Sequence, residues 1–217
     1  MKLVSNVMTD GQAIAEEFAF CQPDAAQRIN LAPNRNPHLA WYEIPQATQS
    51  LVVICVDPDA PSVATDVNQE GKTIPADFPR ADFYHWCVVD IPPALAWLDS
   101  GEMSDGVTAR GKSGPQAAHP RFPDALRHGL NDYTNWFAAD DNMRGQYFGY
   151  DGPCPPWNDA RVHRYIFTVY ALDIARLPLE GAFDARAVRA AMEGHILDQA
   201  SLCVTYTLNP ALRQQSV

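Results

Sequence analysis

Short runs of β-branched and aromatic residues, cut off by proline or aspartate, constrain this chain more than any other feature. Leu-Val-Val-Ile-Cys-Val (residues 51–56) stops at Asp57-Pro58, and Tyr-His-Trp-Cys-Val-Val-Asp-Ile (84–91) stops at Pro92-Pro93. Tyr-Ile-Phe-Thr-Val-Tyr-Ala-Leu (165–172) is another run of eight, and residues 202–208 supply one more near the end. Runs of this length and composition read as strands. They are too apolar to leave one face in water, so they imply strands covered on both faces, as inside a sandwich. Eighteen prolines and twelve glycines in 217 residues add many turns and argue against a helical bundle. The expectation is a mainly β fold and a single domain over 1–217.

One helix is signalled. From Asp184, an N-cap residue type, the side chains of Val188, Ala191, Met192, His195 and Ile196 recur on one face. His195 on that face reads as a core histidine. Between Pro92 and Gly152 lies a long segment rich in Gly, Pro, Asp and Asn. Its aromatics Trp136, Phe137, Tyr147 and Phe148 suggest that its second half packs down over a pocket or a partner.

The formal net charge of −10 opposes phosphate backbones and anionic lipid surfaces, so nucleic acid is not an expected partner. No apolar run approaches a membrane span or a signal-peptide core, which makes a cytoplasmic location the expectation. The cysteines, Cys21, Cys55, Cys87, Cys154 and Cys203, are odd in number and widely spaced. They signal neither a disulfide framework nor a structural zinc site. Cys55, Cys87 and Cys203 lie in apolar runs and read as buried thiols.

The stretch from Gly106 to Ser113 matches the phosphate-binding G-x-x-x-x-G-K-S pattern letter for letter. That loop works only between a buried strand and a helix whose first amides cradle phosphate. Here polar residues precede it and Gly114-Pro115 follows, so it reads as a solvated loop.

Four segments concentrate chemistry at strand ends. Asp57-Pro58-Asp59-Ala60-Pro61 follows a buried strand, and two carboxylates two residues apart in extended backbone point the same way. Taken alone the segment reads as an Asp-Pro turn. His85-Trp86 lies inside an apolar strand, where a lone histidine is more often a satisfied core residue. Gly152-Pro153-Cys154-Pro155-Pro156 keeps backbone N–H groups only at Gly152 and Cys154. It reads either as an amide-presenting loop or as a stiff connector. His163-Arg164-Tyr165 opens the strand that holds the run 165–172, with His163 and Tyr165 on one face and Arg164 on the other. For Arg164 a structural ion pair is the better reading, and Trp157 reads as either a pocket rim or loop packing.

In this order, these segments resemble the phosphatidylethanolamine-binding protein family, with closer likeness to its bacterial, Raf-kinase-inhibitor-like branch. The likeness extends through Asn36-Pro37-His38-Leu39-Ala40-Trp41, Asn131-Asp132 and Gly194-His195-Ile196-Leu197. The chain departs from it between Pro92 and Gln146, and in extra length between Pro156 and His163. The resemblance implies an antiparallel Greek-key β-sandwich with peripheral helices and a small cavity for phosphate-like or carboxylate ligands. Position by position, Asp57, Asp59, His85, Gly152, Cys154, Pro156, His163 and Tyr165 match the family's pocket lining, and Pro61 and Trp86 match flanking positions. It also implies a binding protein; on the residues, binding is favoured over catalysis, whether the chain is an enzyme stays open, and no cofactor is expected. Kinase- or protease-inhibitor-like regulation and a homodimer are further implications.

Two carboxylates in an anion pocket need reconciling. A monoprotonated phosphate can donate to Asp57 or Asp59, nearby carboxylates raise histidine pKa values, and amides and the Tyr165 hydroxyl add neutral donors. Binding is then expected to weaken as pH rises through the histidine titration. The competing reading takes two Asp and two His as ligands for zinc in a hydrolase. Against it, no G-x-S-x-G elbow occurs, and Cys154 stands between prolines.

Overall fold

Each apolar run falls wholly or largely within a long strand. The computed structural model describes residues 1–213, so the last four residues of the expected 1–217 domain lie outside the described residues. The strands in chain order are β1 (Lys2–Val4), β2 (Cys21–Asp24), β3 (Arg28–Leu31), β4 (Leu39–Tyr42), β5 (Ser50–Pro61), β6 (Arg80–Ile91), β7 (Trp97–Leu98), β8 (Arg127–His128), β9 (His163–Leu172) and β10 (Ile196–Tyr206). Helices α1 (Tyr133–Trp136), α2 (Ala185–Met192) and α3 (Pro210–Arg213) are short.

The central sheet is antiparallel throughout, in the order β10-β9-β5-β6-β8. A second sheet, β1-β4-β7, is antiparallel too, and β2 pairs with β3 as a hairpin. The chain therefore crosses from one sheet to the other between β4 and β5, again between β6 and β7, and back between β7 and β8. This produces the sandwich.

Leu51, Val53, Val88, Phe167 and Val169 face inward against Leu39, Trp41 and Leu98 of the smaller sheet. On the opposite face Val52, Ile54 and Val89 pack under Ala185, Val188 and Met192 of α2. With both faces covered, polar residues have no place in the strand centres, and the sequence runs apolar without alternation.

Helix α2 starts where expected, with the Asp184 carboxylate accepting the Ala187 N–H at 2.8 Å. It ends earlier. Gly194, at φ +81°, reverses the chain, and β10 begins at Ile196, opposite Leu172. His195 is consequently not a core residue: its side chain is 41% exposed and its Nδ1 lies 2.8 Å from Asp173.

The middle segment folds back on itself. A Cβ at Gly145 would stand 2.1 Å from the Arg110 carbonyl oxygen, and one at Gly111 would stand 2.1 Å from that of Gln146. The phosphate-loop look-alike is thus packed backbone to backbone. No helix begins directly after it, and the Lys112 ammonium pairs with buried Asp151 at 2.6 Å. Gly145→Ala must push two backbone segments apart and is expected to cost about 2 kcal/mol in urea unfolding, within the range for overpacking. A loss below about 0.5 kcal/mol would show that the two segments separate freely.

Candidate functional site

At one end of the central sheet, β5, β6 and β9 open into a cavity of about 670 Å³. On β9 the two-residue period holds: His163 and Tyr165 line the cavity while Arg164 faces away. On β5 it does not. The register slips by one between Asp57 and Ala60, a bulge that turns Asp57 and Asp59 to different sides. Asp57 lines the cavity. Asp59 instead takes the Arg164 guanidinium at 2.8 and 3.0 Å and the Arg164 N–H at 3.0 Å. Burial alone would raise the Asp59 pKa, but the Arg164 hydrogen bonds outweigh it and hold it below the usual carboxylate range. The expectation that both carboxylates share the pocket is corrected here, and Arg164 has the structural ion pair expected of it.

A second bulge shapes β6. Cys55 pairs with Trp86 and Val56 with Tyr84, leaving His85 as the extra residue. His85 reaches the cavity, while Trp86 is fully buried against Tyr150, ring centroids 5.5 Å apart. Trp86 is core, not cavity wall.

The two histidines are wired differently. His163 Nδ1 sits 2.7 Å from Asp57 and its Nε2 sits 3.0 Å from Asp159. Carboxylates only accept, so both ring nitrogens carry protons and the ring is an imidazolium. Burial pushes its pKa down, but the hydrogen bonds to Asp159 and Asp57 prevail and raise it to about 9. Arg80 holds Asp159 from the far side at 2.5 and 3.0 Å. Asp57, His163, Asp159 and Arg80 thereby form a buried chain of alternating charge with no net charge.

His85 Nδ1 lies 2.8 Å from the Asp151 carbonyl, which can only accept, so the proton is on Nδ1. Burial lowers its pKa, against the raising influence of Asp57. A neutral ring leaves Nε2 as a lone pair. The expectation that neighbouring carboxylates raise both histidines is met by His163 and reversed for His85. Beside it the Tyr165 hydroxyl is buried without a hydrogen-bond partner among the described residues.

The third wall is the loop after Asp151. Cys154 and Pro156 line the cavity, as does Pro61 from the end of β5. Gly152 does not: its N–H donates to Asn34 at 2.8 Å, and a Cβ there would sit 2.1 Å from the Phe18 carbonyl oxygen. It is a close-packing glycine rather than an amide facing the cavity. Cys154 forms a disulfide with Cys21, a pairing 133 residues apart that widely spaced cysteines did not signal. Cys55 and Cys87 are buried thiols, whereas Cys203 is half-buried. The guanidinium of Arg28 covers the Trp157 ring at 5.1 Å, and Trp157 does not line the cavity.

The donor set for zinc does not assemble. Asp59 is turned to Arg164, His163 has both nitrogens protonated, and among the described residues no group of three or more His, Cys, Asp or Glu is placed to hold a metal ion.

A family model described as phosphatidylethanolamine-binding protein matches residues 4–207. The chain belongs to the phosphatidylethanolamine-binding protein family. It is 29% identical to the protein YbhB of Escherichia coli over 207 residues, covering 95% of this chain and 100% of that one. It is 34% identical to a protein of Methanothermobacter thermautotrophicus over 173 residues, covering 80% and 83%. The crystal structure of Escherichia coli YbcL superposes with a TM-score of 0.66 at 23% identity, covering 95% of this chain and 97% of that one. A Chlamydia trachomatis homologue superposes at 0.59 and 25% identity, covering 94% and 95%. The antiparallel sandwich is the fold these neighbours share with it.

Within this member of the family, residues outside the four sequence segments hold the site in place. Asp132 accepts the Tyr84 N–H at 2.9 Å and the Arg186 guanidinium at 2.8 and 3.0 Å. Tyr133 donates to the Gly152 carbonyl at 2.8 Å and stacks on Phe20, centroids 4.5 Å apart. Buried Asp151 gathers Asn34, Asn131 and Lys112 at 2.6–2.8 Å. Asn131-Asp132 gave the one sequence signal for this layer. Asp159 lies in the extra length before His163, where no signal pointed to it.

Proposed function

We propose that the chain is a binding protein whose cavity takes a small phosphate-like or carboxylate group that brings a proton of its own. The observation that carries this reading is the unpartnered Tyr165 hydroxyl beside the free Nε2 of a neutral His85. A buried hydroxyl left without a partner costs about 1–3 kcal/mol, and a ligand oxygen accepting from it recovers that loss. The Cys154 N–H, which makes no hydrogen bond among the described residues, is a second donor for the same group. The lone pair of His85 and the carboxylate of Asp57 need a donor in turn. A monoprotonated phosphate supplies one, and its remaining oxygens accept. The imidazolium of His163 offsets Asp57, which removes the repulsion that a chain of net charge −10 would otherwise impose locally.

Tyr165→Phe tests the reading because its two effects have opposite signs. Binding of phenyl phosphate, followed by calorimetry at pH 6, is expected to weaken at least tenfold, the scale of a hydrogen bond to a charged group. Unfolding stability of the free protein is expected to hold or rise, since an unsatisfied buried polar atom is removed. Unchanged affinity would end the proposal.

The proton in this account belongs to the ligand rather than to a titrating histidine. A phosphate monoester loses its second proton near pH 6, so affinity falls above that pH while His163 stays charged. A cytoplasmic location would require the Cys21–Cys154 bond to respond to reductant, because disulfides persist mainly in oxidising compartments.

A further inference from the structure

We propose that Cys21–Cys154 is a thiol-exchange site inside the ligand cavity, so that cavity occupancy and the redox state of the pair control one another. The proposal rests on the cavity being a ligand site. Three observations carry it.

Both cysteines line the same cavity as Asp57, His85 and Tyr165. Cys21 is 5% exposed and Cys154 is the more exposed residue of the two, so the attack is assigned to the Cys154 side of the bond. The disulfide also fastens Cys154 itself, whose N–H makes no hydrogen bond among the described residues, in a loop otherwise held at Gly152 by Asn34 and Tyr133 and at Pro156 by the Asp159 N–H. Pro153 accepts the Phe20 and Cys21 N–H groups at 2.9 and 3.1 Å, but Pro153, Pro155 and Pro156 have no N–H to return. The covalent bond therefore fixes where the Cys154 N–H stands in the cavity wall.

The exchange balances as a two-electron step. A thiolate of a small dithiol attacks the Cys154 sulfur, forms a mixed disulfide, and expels Cys21 as a thiolate that takes up a proton. The second thiol of the reagent then displaces Cys154. The protein leaves with two thiols and the reagent with one cyclic disulfide. A ligand seated between Tyr165 and the Cys154 N–H covers the attacked sulfur and slows the first step. Conversely, reduction releases the loop, and a less preorganised wall binds more weakly.

The test follows reduction of the full-length native protein by dithiothreitol, with alkylation and mass measurement of the peptides containing Cys21 and Cys154. Saturating phenyl phosphate is expected to slow reduction at least tenfold, and the reduced protein is expected to bind phenyl phosphate about tenfold more weakly. A ligand-free arm uses Leu31→Trp/Val63→Trp, two rim positions 52% and 54% exposed, which narrows the mouth and is expected to slow reduction several-fold. Reduction that proceeds only on unfolding, or at one rate in all arms while calorimetry shows phenyl phosphate bound, would overturn the exchange site and leave the binding reading intact. No binding of phenyl phosphate to either form, with the double variant still slowed, would instead remove the binding reading and leave the sulfur pair reachable only through the cavity.

Discussion

His163→Leu is expected to destabilise the chain by about 3–5 kcal/mol, the scale of breaking a buried ion pair by removing one partner. The imidazolium lies between Asp57 and Asp159 at 2.7 and 3.0 Å, and all three side chains are almost fully buried. Leucine removes both N–H donors and the positive charge. Arg80 still serves Asp159, but among the described residues Asp57 keeps only the Asp59 N–H at 2.7 Å. Two carboxylates would then face each other across an apolar side chain. Urea unfolding at pH 6.5 measures the loss. Adding Asp57→Asn to His163→Leu is expected to recover part of it, because the double variant no longer buries an uncompensated charge. A loss below about 1 kcal/mol in the single variant would show that water already reaches the pair.

Stability is expected to peak near pH 6.5 and fall on both sides, with different histidines responsible. His163 has a folded pKa of about 9 against 6.5 unfolded. A raised pKa contributes stability fully below 6.5, and that contribution is lost as pH rises through 9. At 1.36 kcal/mol per unit the loss is roughly 3 kcal/mol. His128 behaves oppositely. Burial, then the charge of Lys112, lowers its pKa to about 3. Its stabilising contribution is present above 6.5 and is lost as pH falls toward 3, because the unfolded chain takes up the proton first. The loss there is roughly 4–5 kcal/mol. Urea unfolding from pH 4 to 9.5 would trace the maximum, and His163→Leu should flatten its alkaline limb. A plateau from pH 6 to 9 in the wild-type protein would mean that His163 is not held as an imidazolium.

The long strands were legible because the central sheet is covered on both faces, which leaves an apolar signature over residues 51–56, 84–91 and 165–172. The site was half legible. Strand periodicity placed His163 and Tyr165 together and sent Arg164 away, and β9 obeys it. The same period misplaced Asp59, because a bulge depends on how two strands register and not on either strand alone. The tautomer of His85 depends on the Asp151 carbonyl, 66 residues away in the chain. The Cys21–Cys154 pairing and the Asp159 contact to His163 are likewise set by where loops come to rest. Periodicity reports the faces of an element, and these contacts form between elements.

Calorimetric titration of phenyl phosphate into the wild-type protein at pH 8, in two buffers of different ionisation enthalpy, counts the protons that move on binding. At that pH the free ligand is a dianion, so a cavity built around Asp57, the His85 lone pair and the Tyr165 hydroxyl should take up about one proton per ligand bound. Binding with no proton uptake, and with equal affinity at pH 5.5 and 8, would contradict it.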